Sequence, residues 1–182
     1  MNTSIDQLRI INSPDLMKGL CRLGESILQE IRIHIEQDIH TIFDCSESFQ
    51  NLTLNHLFND SIQHKLACCS KLGPYVSDYL VNFTLHRIVS LYLAKAFSDL
   101  SLKREFKFIK NLLADIKLFQ NIVQSLYPIP LSEFYIDTLL NFYSLFESDN
   151  YDELLKGLLK LNVFLKSNLG KFDKKPKCFV IY

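Results

Sequence analysis

The chain has no tryptophan, and its 182 residues include only 5 glycines, 5 prolines and 2 methionines. So few turn formers exclude a loop-rich or all-β chain, which needs a turn signal roughly every 8–12 residues. Net charge of one sign is also missing, because 20 Lys and Arg balance 20 Asp and Glu. That is not the polycation a dedicated nucleic-acid domain presents, and no nucleic-acid partner is expected. No apolar run approaches the ~20 residues of a membrane-spanning helix. The start Met1-Asn2-Thr3-Ser4-Ile5-Asp6 lacks the basic region and apolar core of a secretory signal, so a soluble, cytoplasmic protein is expected. Asn51-Leu52-Thr53 and Asn82-Phe83-Thr84 fit the glycosylation pattern, which without secretion has no consequence.

Pairing is what the cysteines lack. Cys21, Cys45, Cys68, Cys69 and Cys178 are odd in number and form no C-x-x-C pair, which argues against a disulfide framework and against tetrahedral zinc. They read as small apolar residues buried in a reducing compartment. The glycines stand singly at Gly19, Gly24, Gly73, Gly157 and Gly170. No phosphate loop, dinucleotide fingerprint or nucleophile elbow is therefore written into the chain. His34 and Asp38, and Glu36 and His40, lie four residues apart on helical faces, but no third ligand accompanies either pair, so they read as solvent-facing polar pairs. His56, His64 and His86 read as surface or helix-edge residues. No catalytic residue, metal or cofactor is expected, and a cysteine–histidine pair assembled in space is the one enzymatic arrangement left open.

What is present is helical periodicity. The apolar fraction is 48% with 14 phenylalanines, and the apolar positions recur at steps of three or four residues. Ser13-Pro14-Asp15 combines a capping hydroxyl, a first-turn proline and an acid at the positive end of the helix dipole. A long helix follows through Leu16, Leu20, Leu23, Ile27, Ile31, Ile35, Ile39 and Ile42, with Gly24 as a potential bend. A second helix is predicted over Leu52–Leu72, with Leu54, Leu57, Phe58, Ile62, Leu66 and Cys69 inward and Gly73-Pro74 as its stop. A third spans Tyr75–Phe97 on Val76, Leu80, Phe83, Ile88, Leu91 and Ala94, and Ser98-Asp99-Leu100-Ser101 breaks it. The fourth begins near Leu102 and places Phe106, Ile109, Leu113, Ile116 and Phe119 on one core face. After the turn Tyr127-Pro128-Ile129-Pro130 come a fifth helix, opened by Ser132-Glu133, and a sixth over Tyr151–Leu169. The reading is all-α: an N-terminal extension (1–12), one bundle of about six helices (13–170) and a basic tail (171–182).

Charge is uneven along this bundle. Residues 1–70 carry 5 basic against 9 acidic side chains, and residues 71–182 carry 15 against 11. The basic excess gathers at Lys103, Arg104, Lys107 and Lys110 and again at Lys174, Lys175 and Lys177. These seven are the candidate contacts for an acidic partner or an anionic membrane surface. Four residues follow Cys178 where a prenylation motif has three, so the tail does not fit that signal; a cysteine beside lysines remains compatible with S-acylation.

The run Arg87-Ile88-Val89-Ser90-Leu91-Tyr92-Leu93, followed by Asn111-Leu112-Leu113-Ala114-Asp115-Ile116-Lys117-Leu118-Phe119 and a helix pair cornered at Leu145–Leu155, resembles the end of a subunit from the helical-rod tethering complexes. That superfamily includes the exocyst and the Golgi-associated retrograde complex, and such subunits often carry a single Asp in a leucine-rich helix. The resemblance covers about Leu80–Leu169. It implies an elongated, rod-type bundle and a non-catalytic role in vesicle tethering and protein transport, binding other subunits, a small GTPase, a SNARE or a lipid surface. The alternative reading is a free-standing helical effector or regulator that binds a single partner.

Overall fold

A computed structural model describes residues 14–46, 52–100, 106–127 and 130–147, together with 156, 157, 159 and 160. Among the described residues there are six α-helices and no strand: α1 (Pro14–Cys45), α2 (Leu54–Leu57), α3 (Asp60–Cys69), α4 (Pro74–Leu100), α5 (Phe106–Leu126) and α6 (Pro130–Glu147), with a 3-10 turn at Ser70–Leu72. The chain is an all-α bundle. The extension 1–12, the tail 171–182 and all but four positions of the helix expected over Tyr151–Leu169 lie outside the described residues.

Three of the long helices, α1, α4 and α6, begin with proline. A first-turn amide has no intrahelical acceptor, so proline sacrifices nothing there and its fixed φ suits the helix. The helix expected over Leu52–Leu72 is divided instead. Phe58 leaves helical geometry at φ −104°, ψ 52°, and Asn59 starts α3 afresh by accepting the Ile62 amide at 3.0 Å. Its apolar face survives the break, for Leu54, Leu57, Phe58, Ile62, Leu66 and Cys69 are all buried. Gly73 then turns the chain at φ +111°, a region that a side chain would strain. α4 continues through Ser98-Asp99-Leu100 rather than breaking there.

α4 is the axis of the bundle. Leu80, Val81, Phe83, Leu85, Ile88, Val89, Tyr92, Leu93 and Ala96 are buried, and these positions point in every direction around the helix. A helix apolar all round belongs in an interior, and α1, α2, α3 and α6 all pack on it. Two of its small polar groups are satisfied locally: Thr84 donates to the Leu80 carbonyl at 2.7 Å and Asn82 to the Asp78 carbonyl at 2.7 Å. The face expected from periodicity is only part of this surface. Ala94 is exposed, and His86, expected at the surface, is 4% exposed inside the core.

α1 and α4 run parallel, since Arg32 meets Tyr79 and Phe83, Glu36 meets Arg87, and Phe43 meets Lys95. This pairing sets Ile27 level with the first turn of α4, so the part of α1 before it runs past that helix's start. Leu28, Ile35 and Ile39 are buried and Ile31, Ile42 and Phe43 pack against the core, but no residue from Pro14 to Ile27 is buried.

The apolar pattern of α1 explains this division. At 3.6 residues per turn, a step of four overshoots one turn by about 40°, so the three consecutive steps Ile27–Ile31–Ile35–Ile39 carry the stripe about 120° around the axis. The same arithmetic moves the core face of α5. Leu112, Ile116, Phe119 and Val123 are buried, whereas Leu113, expected in the core, is only half-buried; the side chains of Phe106 and Ile109 lie outside what the structure describes.

Candidate functional site

The precession of the apolar stripe leaves a second face on α1. Leu16, Leu20, Leu23 and Ile27 are 41%, 46%, 57% and 49% exposed, and they share one side of the helix. Met17, Cys21 and Gly24 are half-buried on the side that continues toward Leu28, about 100° away by helical geometry. Four large aliphatic side chains aligned in water cost free energy that an isolated surface leucine does not, because they form a contiguous strip. At the same end of the bundle, Leu72 just before α4 and Tyr75 in its first turn stand exposed. Elsewhere, Leu118 and Leu126 are exposed on one side of α5, with half-buried Ile122 between them, and Phe134 is exposed near the start of α6.

The polar chemistry of the bundle is directed inward. Asp115 Oδ2 accepts the Leu54 amide at 2.9 Å and the Tyr92 hydroxyl at 3.0 Å, and the Asn55 amide also bonds this carboxylate. Thr53 Oγ1 accepts the His56 amide at 3.1 Å, so the free amides that open α2 are shared between a local cap and a carboxylate 61 residues away. Burial pushes the Asp115 carboxyl above its ordinary range, against the opposing pull of those hydrogen bonds and of nearby His56. Burial, and then the Asp115 charge, push the Tyr92 hydroxyl upward. Burial alone raises Tyr135 to about 12 and lowers His86. Tyr135 donates to the Asn82 carbonyl at 3.3 Å, and its ring lies 6.1 Å from that of His86.

A second polar seam joins α1 to α4. Arg32 Nη1 donates to the Tyr79 hydroxyl at 3.0 Å while its guanidinium lies 4.4 Å from the Phe83 ring centroid. Glu36 pairs with Arg87 and, at 3.9 Å, with His40. Asp38 accepts from Ser61 and pairs with Lys65, tying α1 to α3 rather than forming a pair with His34. Among the described residues no group of three His, Cys, Asp or Glu is arranged to hold a metal ion.

The cysteines depart from expectation. Cys69 is buried and its thiol is raised, first by burial and then by Cys68, but Cys45 and Cys68 are exposed and Cys21 is half-buried. Cys68 Sγ lies 3.7 Å from His64 Nε2, one turn apart on the exposed side of α3. This is a cysteine–histidine contact on an open helix face. Among the described residues no third group hydrogen-bonds the imidazole to orient it.

The basic candidates are not brought together by any described side chain. Lys103, Arg104, Lys174, Lys175 and Lys177 lie outside the described residues, as does Cys178, and Lys107 and Lys110 sit on the first turns of α5 with side chains outside what the structure describes. No described helix is long and apolar enough to cross a membrane. No family model matches the chain, and neither curated proteins nor solved structures give a match. Periodicity counted as steps of three or four missed the exposed α1 face, because the count ignores the rotation that accumulates from step to step. Tracking that rotation would have found it.

Proposed function

We propose that this chain is a non-catalytic helical module that binds other proteins through helix faces. The observation that carries the reading is the aligned set Leu16, Leu20, Leu23 and Ile27, solvent-exposed on a part of α1 in which no residue is buried. Helix-on-helix docking is the contact such a strip suits, with apolar anchors at i, i+4, i+7 and i+11. The inward engagement of Asp115, Tyr92, His86 and Tyr135 adds support, because each shifted group serves the fold's own contacts. The resemblance of the Arg87–Leu93 and Asn111–Phe119 segments to tethering-complex subunits supports a setting in vesicle tethering, with subunits, a small GTPase or a SNARE as partners and peripheral attachment to membranes.

The test is affinity copurification and mass spectrometry on the full chain, comparing wild type with Leu20→Glu/Leu23→Glu and with Leu118→Glu/Phe134→Glu. Loss of a reproducible partner set in either variant, with the fold retained, supports the module. Recovery of trafficking-complex subunits places it in tethering, and a single unrelated partner favours the free-standing regulator. Identical partner sets in all three proteins would refute helix-face binding.

A further inference from the structure

We infer that the exposed face of α1 is occupied by the same face of a second copy of this chain, the two helices pairing antiparallel about a two-fold axis between Cys21 and Arg22. The inference goes beyond the proposed module in naming the occupant, and rests on it only in taking this face as a contact surface.

The spacing carries the argument first. Leu16, Leu20, Leu23 and Ile27 are separated by four, three and four residues, the alternation of a coiled-coil seam. That series reads the same in both directions. Antiparallel pairing therefore sets Leu16 of one copy against Ile27 of the other and Leu20 against Leu23, with no apolar side chain left facing a polar one. The seam is closed at one end by exposed Glu30 and His34, which occupy the next positions in the register.

The flanks carry it further. Gly19 borders the seam on one side, three residues after Leu16, and Gly24 on the other, three residues before Ile27, so the two are mirror positions about the same axis. Gly19 has helical rather than positive φ, and a Cβ placed there would meet nothing within 4 Å. The protein's own fold thus gives no reason for glycine at that position, where it weakens the helix relative to alanine. A backbone approaching from outside does give one. Ser26 continues the small flank on the Gly19 side, while Lys18 and Glu25 lie on the opposite side of the helix.

Charge permits self-pairing. The flanking positions Met17, Gly19, Gly24 and Ser26 are uncharged, so the side chains that usually reject a like partner are missing from the rim. Formal net charge is zero, so two copies approach without long-range repulsion. Antiparallel pairing also keeps the two cores at opposite ends of the shared shaft, the part of α1 before Ile27 being about 20 Å long in each copy. Four anchors per copy make a small interface, below the area of permanent dimers, so the pair is reversible and forms with concentration.

Sedimentation equilibrium on the full chain, from low micromolar to near-millimolar concentration, tests this. The expected result is a weight-average mass that climbs from 21.2 kDa toward twice that value. Leu20→Glu/Leu23→Glu should hold the protein at monomer mass throughout, and Gly19→Leu should weaken association at least several-fold. Thermal melts at low concentration should match wild type for Leu20→Glu/Leu23→Glu and fall no lower than wild type for Gly19→Leu, since neither change touches a buried side chain and leucine favours the helix over glycine. Register is read by cysteine cross-linking with peptide mapping: Leu16→Cys should cross-link to Ile27→Cys in a mixture of the two proteins, and not to itself. A monomer at every concentration, a dimer indifferent to Leu20→Glu/Leu23→Glu, or a Leu16–Leu16 cross-link would overturn the proposal. If the chain stays monomeric while the same variant loses other proteins on copurification, pairing fails and the interaction module stands; a dimer without partners gives the reverse.

Discussion

Replacing Asp115 by alanine removes an acceptor that three donors share. The Leu54 and Asn55 amides and the Tyr92 hydroxyl all converge on this carboxylate. A buried donor left without a partner costs about 1–3 kcal/mol. Leu54 and Tyr92 are buried and incur most of that cost, whereas half-buried Asn55 regains water. Some of the loss is offset, because the carboxylate no longer has to be kept out of solvent. Asp115→Ala should therefore lose about 2–4 kcal/mol of stability, Tyr92→Phe about 1–2, and Asp115→Asn, which retains one acceptor oxygen, less than Asp115→Ala. Both Asp115→Ala and Tyr92→Phe break the same bond, so the double variant should be less destabilised than their sum by about 1 kcal/mol. Urea unfolding followed by the helical circular dichroism signal measures all four. The sign with pH follows from the raised carboxyl of the folded state: relative to Asp115→Asn, wild type should lose stability as pH rises from the ordinary value of 3.8 through the folded value. Additive single variants, or a wild type that gains stability over that rise, would refute the claim that burial dominates at a shared acceptor.

Three further outcomes separate the structure from the pattern it replaced. Leu112→Ala should cost about 2–4 kcal/mol and Leu113→Ala less than about half as much in the same urea assay, since Leu112 is buried and Leu113 only half so. His86 is held below its ordinary 6.5, so stability should fall as pH drops from about 6.5 through its folded value, and a His86→Gln variant should lose that slope. Asn59→Ala removes the side-chain acceptor that restarts α3 and should lower the unfolding free energy by about 1 kcal/mol, while Asn59→Asp should restore most of it.

Periodicity made the helical class legible because every long segment steps by three or four, and proline and glycine marked several ends, at Pro14, Gly73 and Pro130. Face assignment was less legible. A list of steps does not record that consecutive fours rotate a stripe one way and consecutive threes the other, and for this reason the α1 stripe divides at Ile27 and Leu113 gives way to Leu112. Burial of His86 was hidden for a different reason. α4 is enclosed from all sides, so its histidine had no polar face on which to lie. The role of Asp115 depends on Leu54 and Tyr92, residues 61 and 23 positions away, and no local spacing contains it.

The enclosure of α4 also governs how the polypeptide can be divided. α1 to α3 precede it, α5 and α6 follow it, and packing from both groups wets none of its central turns. A fragment ending after α4 would present one half of a greasy cylinder to solvent, and a fragment beginning there would present the other. Neither half is an independent folding unit, so the bundle gains and loses structure in a single cooperative step, with the slowest-exchanging amides in the middle of α4. A cleavage in the segment between α4 and α5 would then leave two pieces that remain associated and run as one particle until denaturant parts them.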